Sequence, residues 1–188
     1  MSAKTVYYTA TSLDGYIAGP DNSLDWLFQF GAEMTEDYPD FIANIGAVAM
    51  GSTTYEWVFD HLGGGGPEPQ QWPYEQPVWV FTTRSLRPYP GADIRFVQGD
   101  VAPVHAQMMA EAAGKHVWLI GGGELVGKFH DAGLLDEIIV TIASVTLGAG
   151  APLLPRAIVT PPLELVSART YGTAFAQLHY RVQRSAAG

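Results

Sequence analysis

The sequence contains no cysteine, which excludes disulfide bonds, thiolate metal sites and cysteine nucleophiles together. It is also poor in basic residues: 10 lysines and arginines stand against 19 aspartates and glutamates, for a formal net charge of −9. Surfaces that bind nucleic acid usually carry a basic stripe, so this balance argues against nucleic acid as a partner. A phosphorylated small ligand remains compatible, because one helix N-terminus and one arginine can hold a phosphate.

Long apolar runs are missing as well. No window approaches the roughly 18 to 20 uncharged apolar residues of a membrane span. The first residues, MSAKTVYYTATSLDG, show no basic segment followed by an apolar core, so we expect a cytoplasmic protein. The five histidines lack the spacing of metal ligands, and there is no Gly-x-Ser-x-Gly motif. We therefore expect neither a metal site nor a hydrolase nucleophile elbow.

The length and composition favour one globular domain over residues 1–188, with 47% hydrophobic and 15% charged residues. Strand patterns alternate with helix patterns through the first two-thirds of the chain, and a hairpin closes it around Gly172-Thr173. Strands are predicted at 5–11, 47–50, 78–82, 94–97, 117–120, 137–146, 163–171 and 174–184, and helices at 103–113, 124–132 and for about ten residues after Gly51. This order predicts a three-layer α/β/α domain, with a mostly parallel mixed sheet and an antiparallel C-terminal hairpin.

One further helix is predicted from an apolar stripe. Tyr38, Phe41, Ile42 and Ile45 recur at the spacing of one helix face. Thr35 is a plausible N-cap, Pro39 favours a start near Tyr38, and Gly46 is the expected stop.

The segment VWLIGGGELVGKF, residues 117–129, is the strongest local signal for ligand binding. A buried strand leads through three glycines into a helix. Glycine permits close approach of the backbone to a ligand, and the helix start offers free N–H groups and a positive dipole end. The pattern suits a pyrophosphate, although the same glycines also serve in plain tight connections.

Two other strands end in polar residues. AVAMGSTTYEWV, residues 47–58, places a glycine and three hydroxyl residues at a helix start, where they either cap the helix or bind a ligand. Thr83, Arg84 and Ser85 follow a third buried strand. Ligands of open α/β sheets bind at this edge, so three such strand ends together indicate a binding cleft.

These segments, in their order along the chain, resemble the dihydrofolate reductase superfamily. The segments are TATSLDGYIAGPDNSLDWL, VAMGSTTYEWV, VWVFTTRSL, VWLIGGGELVGKF and EIIVTIASVTLGAGAPLLP. The Ser-Leu-Asp-Gly turn and the Leu-Gly-x-Gly-x-Pro-Leu-Leu-Pro ending are most similar to the branch that contains the C-terminal reductase domain of the bifunctional riboflavin-biosynthesis deaminase–reductase. The resemblance runs from about Lys4 to Val182 and implies an NADPH-dependent reductase of a pyrimidine- or pterin-like molecule.

The resemblance also implies roles for individual residues. Ala10 and Ile17 would flank the nicotinamide, and Asp14, Trp26 and Thr141 would border the substrate. The pyrophosphate would lie between two helix starts, one at Gly51, Ser52, Thr53 and Thr54 and the other at Gly121, Gly122, Gly123, Glu124 and Leu125. Around the adenosine ribose and its 2′-phosphate would lie Thr83, Arg84 and Ser85.

Three departures from the family pattern bear on function. Many relatives have arginine where this chain has Ser52, which leaves Arg84 as the main candidate for the 2′-phosphate and the preference for NADPH over NADH open. The ribosylaminouracil reductases usually have lysine where this chain has Tyr16, so a phosphoribosyl substrate is not implied. Dihydrofolate reductases carry one acidic residue on the helix after the first strand, and here Glu33, Glu36, Asp37 and Asp40 all lie nearby.

A hydride transfer to an imine or carbonyl also requires a proton, which a carboxylic acid or a bound water can supply. Asp14 and Asp37 are the candidate acids, with Asp14 preferred because its turn directly follows a strand at the proposed cleft. Asp14 precedes glycine in a turn, where aspartate is common without any chemistry. Three functions stay open: a reductase of riboflavin-pathway or dihydrofolate type, a non-catalytic dinucleotide-binding module, and an interaction protein whose glycines only form turns. The apolar C-terminal strands, together with the family resemblance, predict a homodimer.

Overall fold

The computed structural model describes residues 2–31 and 37–184. An eight-stranded sheet forms its centre, and a separate two-stranded ribbon joins β2 to β8. The strands are β1 Thr5–Ser12, β2 Tyr16–Ala18, β3 Ile45–Gly51, β4 Val78–Phe81, β5 Ile94–Val97, β6 His116–Gly121, β7 Glu137–Ala143, β8 Ala151–Pro152, β9 Glu164–Tyr171 and β10 Phe175–Arg181. The helices are α1 Asp25–Phe28, α2 Tyr38–Ala43, α3 Ser52–His61, α4 Val101–Glu111 and α5 Gly123–Asp131.

The order of strands in the large sheet is β5-β4-β3-β6-β1-β7-β10-β9. The pairs from β5 to β7 are all parallel. The strand β10 pairs antiparallel with both β7 and β9. The predicted mostly parallel sheet with an antiparallel C-terminal hairpin is therefore confirmed.

Apolar side chains on the two faces of the sheet build the two larger hydrophobic cores, because successive strand residues point to opposite faces. On one face Ala49 of β3 belongs to the core that includes Met108 of α4 and Phe129 of α5. On the other face Val48 belongs to the core that includes Tyr55 of α3. Helices thus cover both faces, which confirms the three-layer arrangement.

The helix predicted to run to Gly46 ends earlier, at Ala43, and the prediction was wrong for its last turn. Ile45 opens β3 instead, is buried, and pairs with His116 of β6. A side chain at Gly46 would overlap the backbone of Ala112 after α4, so glycine here permits β3 to pass close to that helix end. Ile45, the last apolar residue of the predicted helix stripe, is thus the first residue of a buried strand. The proposed N-cap Thr35 lies outside the described residues.

The strand predicted at 137–146 is also shorter than expected and ends at Ala143. Beyond it the chain turns, and the backbone carbonyl of Val145 accepts a hydrogen bond from the backbone N–H of Leu13. This contact brings the 144–150 segment beside the turn that follows β1. In the described part of the chain, no helix has both the length and the apolar character needed to cross a membrane.

Candidate active site

Two adjoining cavities lie at the carboxyl ends of the central parallel strands. The first has a volume of about 400 Å³ and the second about 350 Å³. Thr9 of β1 and Ile120 of β6 line both. The shared wall means that ligands in the two cavities would be neighbours, as two reactants of one step must be.

The first cavity is bordered by the starts of two helices. Helix α3 follows β3 directly with Gly51 as its N-cap, and α5 follows β6 with Gly122 as its N-cap. Neither cap provides a side-chain hydrogen bond to the first turn. Two positive helix ends without a capping side chain therefore line a single cavity, which suits a ligand with two linked anionic groups.

The glycines at these helix starts differ in their backbone conformation and in what a Cβ at each position would contact. A Cβ on Gly51 would lie 3.8 Å from the carbonyl oxygen of Gly121 and from the amide nitrogen of Gly122, so the two turns lie side by side. Gly121 has φ +136°, a conformation that favours glycine. A Cβ on Gly123 would overlap the carbonyl oxygens of Pro152 and Leu153. Gly123 is thus required for packing of α5 against the 152–153 segment, apart from any ligand.

Most of the predicted cofactor residues line the first cavity. They are Ile17, Gly51, Ser52, Thr53, Thr54, Gly122, Gly123, Glu124 and Leu125. Ala10 lines the second cavity instead. Thr83, Arg84 and Ser85 line neither, and Gly121 lies at the edge, where its Cβ position is 3.8 Å from Ile17 Cδ1.

Arg84, the predicted partner of a 2′-phosphate, is engaged with a carboxylate of the protein. Its two terminal nitrogens donate to Glu56 of α3 at 3.0 and 2.6 Å. Both side chains are about half exposed, and such pairs contribute little stability. A ligand phosphate would have to compete with Glu56 for this guanidinium.

Lys128, which was not among the residues predicted from the sequence, lines the first cavity from α5. The sequence contained a signal for this residue, because Lys128 lies four residues after Glu124, on the helix face that begins at the glycines. Trp57 of α3 also lines this cavity and stacks on His61, with ring centroids 4.6 Å apart. A tryptophan here gives an intrinsic fluorescent reporter for the cavity.

The second cavity is mainly aromatic. Four rings line it, from Tyr8, Tyr38, Tyr74 and Trp118. Burial raises the pKa of the Tyr8, Tyr38 and Tyr74 phenols, so their hydroxyl groups stay protonated near neutral pH. Flat rings suit a flat ligand, and protonated phenols can donate hydrogen bonds to it. Sequence reasoning did not identify these residues, because each reads as an ordinary core aromatic.

A polar network runs along one side of this cavity. Gln177 Nε2 donates to Asp37 Oδ2 at 2.9 Å and to Thr141 Oγ1 at 3.2 Å. The Tyr8 hydroxyl donates to the other oxygen, Asp37 Oδ1, at 3.1 Å. Tyr8 and Thr141 line the cavity, and Gln177 is buried behind them. Of the acidic candidates that the structure describes, Asp37 is therefore the one tied to the cavity wall.

Asp14 has a different environment. Its carboxylate accepts hydrogen bonds from the Ser12 hydroxyl at 2.6 Å and from the backbone N–H groups of Leu147 and Gly148 at 3.0 and 2.8 Å. These bonds, that of Ser12 foremost, hold the pKa of Asp14 below its usual value. Asp14 lines neither cavity and joins the turn after β1 to the 144–150 segment.

The two residues predicted to border the substrate are placed differently. Thr141 lines the second cavity. Trp26 packs against a small core of Ala143, Tyr171 and Phe175, and its neighbour Leu27 lines the cavity instead. Of the predicted acids, Glu33 and Glu36 fall outside the described residues.

A comparison with known protein families matches residues 3–176 to the model described as the RibD C-terminal domain. The chain belongs to this family. The predicted resemblance to the C-terminal domain of the riboflavin-biosynthesis deaminase–reductase is therefore confirmed, over nearly the whole chain.

Similar proteins support this assignment. The uncharacterised protein YwjB of Bacillus subtilis is 35% identical over 180 residues, which cover 96% of this chain and 98% of YwjB. The crystal structure of a putative riboflavin biosynthesis protein from Shewanella sp. PV-4 is 25% identical, covers 98% of this chain and 100% of its own, and superposes with a TM-score of 0.79. Dihydrofolate reductase from Enterococcus faecalis, solved with NADP(H), shares the fold at 17% identity, 95% coverage of both chains and a TM-score of 0.63.

Proposed function

We propose that this RibD C-terminal domain protein is a reductase that uses NADPH to transfer a hydride to a flat, pyrimidine- or pterin-like small molecule. One observation carries the proposal: the cavity at the two helix starts and the aromatic cavity share the wall formed by Thr9 and Ile120. A dinucleotide in the first cavity and a heterocycle in the second would meet at that wall.

The residues of the first cavity fit a dinucleotide. The uncapped starts of α3 and α5 offer backbone N–H groups to the pyrophosphate from two sides. The apolar side chains of Ile17 and Ala18 line the same cavity and suit the flat face of a nicotinamide ring. Bound NADPH would supply the hydride, and the protein supplies position and shelter from water.

Asp37 is the residue we propose to handle the proton. The Tyr8 hydroxyl and the Gln177 amide each donate to one of its oxygens, so the carboxylate is held in a fixed orientation. Each oxygen keeps a lone pair that can accept a hydrogen bond from an N–H group of a heterocycle or receive a proton. Asp37 would thus orient the substrate and relay the proton that accompanies the hydride.

The family favours a substrate related to riboflavin biosynthesis, as in 5-amino-6-(5-phosphoribosylamino)uracil reductase, with dihydrofolate as the second candidate. Among the described residues that line the second cavity there is no lysine or arginine. This favours the heterocycle itself, over a phosphate attached to it, as the group that the cavity recognises.

The test is NADPH oxidation followed by absorbance, with a panel of pyrimidines with and without a phosphoribosyl group and with dihydrofolate. The proposal expects turnover of at least one flat heterocycle, and its loss in Asp37→Asn. If NADPH binds but no compound of the panel causes its oxidation, a dinucleotide-binding module would be favoured. Failure to bind NADPH at all would favour an interaction protein.

We also propose a homodimer, on a different strand from those that predicted it, because the strands predicted at 137–146 and 174–184 became β7 and β10 inside the sheet. The strand β9 is an edge of the sheet, and its Leu165 and Val166 are exposed at 56% and 42%. An exposed apolar edge strand is open to pairing with a second copy. Light scattering at micromolar concentration should give twice the mass of the 20.3 kDa chain, and a monomeric mass would contradict it.

A further inference from the structure

The first cavity is lined by few charged side chains for a site that would bind a dinucleotide with an additional phosphate. Glu124 and Lys128 are the two charged residues among the described residues that line it. The start of α3 contributes Ser52, Thr53 and Thr54 and so brings no positive side chain. If a ligand phosphate meets a cation inside this cavity, Lys128 is the group that provides it.

Glu124 does not neutralise this lysine. The Glu124 carboxylate lies 3.2 Å from Arg156, which also binds Asp131 at 2.8 Å. Lys128 takes part in no ion pair with the described residues. Its ammonium is therefore available to an anionic ligand, whereas Arg84 is already held by both oxygens of Glu56.

Lys128 lies beyond the first turn of α5. It lies five residues after Gly123, which corresponds to about 7.5 Å along α5 at 1.5 Å per residue. In the proposed site the pyrophosphate would bind the backbone N–H groups of the two helix starts. The ammonium of Lys128 is then left for another anionic group of the same ligand.

NADPH carries one anionic group besides the pyrophosphate, the 2′-phosphate of the adenosine ribose. Thr83, Arg84 and Ser85 line neither cavity, whereas Lys128 lines the first one. Of the two cations considered for this phosphate, Lys128 is therefore the one that lies in the cavity proposed for the dinucleotide.

We infer that Lys128 binds the 2′-phosphate of NADPH and so gives the protein its preference for NADPH over NADH. This rests on the proposed dinucleotide site and assigns its selectivity to α5 instead of the Arg84 loop. A phosphate monoester carries nearly two negative charges at neutral pH, so a single unpaired ammonium recognises it well. NADH lacks this group and gains nothing from the lysine.

The experiment measures dissociation constants of NADPH and NADH by quenching of tryptophan fluorescence, with Trp57 in the cavity wall as a reporter. The variants are Lys128→Met, which keeps length and removes charge, and Arg84→Met. The matched control is Lys115→Met, which removes an exposed lysine that lines neither cavity. The binding of 2′,5′-ADP and 5′-ADP repeats the comparison without the nicotinamide.

Lys128→Met is expected to weaken NADPH and 2′,5′-ADP by about tenfold to a hundredfold, the usual range for a charge-assisted hydrogen bond. NADH and 5′-ADP should change less than about twofold. Equal weakening of NADPH and NADH would place the lysine at the pyrophosphate and overturn the inference. An unchanged NADPH affinity in Lys128→Met would also overturn the inference, most clearly if Arg84→Met removed the preference for NADPH over NADH. Failure of the unaltered protein to bind either nucleotide would instead overturn the proposed function itself.

Discussion

Gln177 and Asp37 are 140 positions apart in the chain, yet Gln177 Nε2 donates to Asp37 Oδ2 at 2.9 Å. The amide belongs to β10, the antiparallel strand next to β7, and the carboxylate precedes α2. The same nitrogen also donates to Thr141 of the neighbouring strand at 3.2 Å. The C-terminal hairpin therefore holds the proposed acid against the wall of the aromatic cavity.

Asp37→Asn is expected to reduce turnover by about a hundredfold to ten-thousandfold, the usual contribution of a general acid or base. The amide cannot relay a proton, and it places a second NH₂ group against Gln177. The dissociation constant of NADPH should stay within about twofold, because Asp37 does not line the first cavity. Steady-state kinetics and a fluorescence titration measure the two effects. An unchanged turnover number would remove Asp37 from the mechanism.

Asp14→Asn should act on stability instead of chemistry. The carboxylate accepts bonds from Ser12, Leu147 and Gly148, and an amide can replace them only in part. We expect a lower melting temperature with the turnover number and NADPH affinity largely preserved. A melting scan with parallel kinetics distinguishes the two roles. A large loss of turnover at an unchanged melting temperature would return Asp14 to the position of proton donor.

Gly123→Ala should destabilise the fold by about 1 to 3 kcal/mol, the usual cost of overpacking. Its Cβ would overlap the carbonyl oxygens of Pro152 and Leu153, which are backbone atoms and cannot rotate away. Gly51→Ala is the matched control, because its Cβ would find ordinary contacts at 3.8 Å. Urea unfolding of both variants provides the measurement. Equal losses in the two would show that the close approach at Gly123 is not the cause.

We expect the protein to lose stability in mild acid, because two of its histidines are half-buried. Burial lowers the pKa of both His105 and His116 from the ordinary value of 6.5. The Nδ1 atom of His116 accepts the backbone N–H of Lys4 at 3.1 Å, which requires this nitrogen to be unprotonated. In the window between 6.5 and the lower folded pKa, the unfolded chain binds more protons than the folded one.

The free energy of unfolding should therefore fall as the pH decreases below about 6.5, and level off below the folded pKa. Urea unfolding at several pH values between 8 and 5 measures it. The double variant His105→Gln, His116→Gln should show a flatter profile in this window. A wild-type profile that is already flat there would contradict the expected protonation states.

The sequence predicted most of the fold because its signals are local. The strand Ile94–Val97 has the predicted bounds, and α3 has the predicted ten residues after Gly51. Ile45 was misplaced because one apolar residue fits a helix stripe and a buried strand equally well. Its pairing with His116, far along the chain, decides the outcome.

The residues that line the cavities were predictable where they follow strands, and less so elsewhere. Ser52 and Glu124 line the first cavity as expected, since glycine turns at strand ends carry a local signature. Tyr74 comes from the long loop before β4 and lines the second cavity. The link between Asp37 and Gln177 depends on the order of strands in the sheet. Periodicity along the chain carries no information about such distant contacts.

An equilibrium titration of the protein with NADPH, followed by tryptophan quenching and by thermal stabilisation, tests the proposed dinucleotide site. We expect saturable one-to-one binding with a dissociation constant in the micromolar range or below, and a rise in melting temperature that grows with NADPH concentration. A substitution that fills the space at a helix start, such as Ser52→Trp, should weaken the binding. No quenching and no thermal shift at millimolar NADPH would contradict the account.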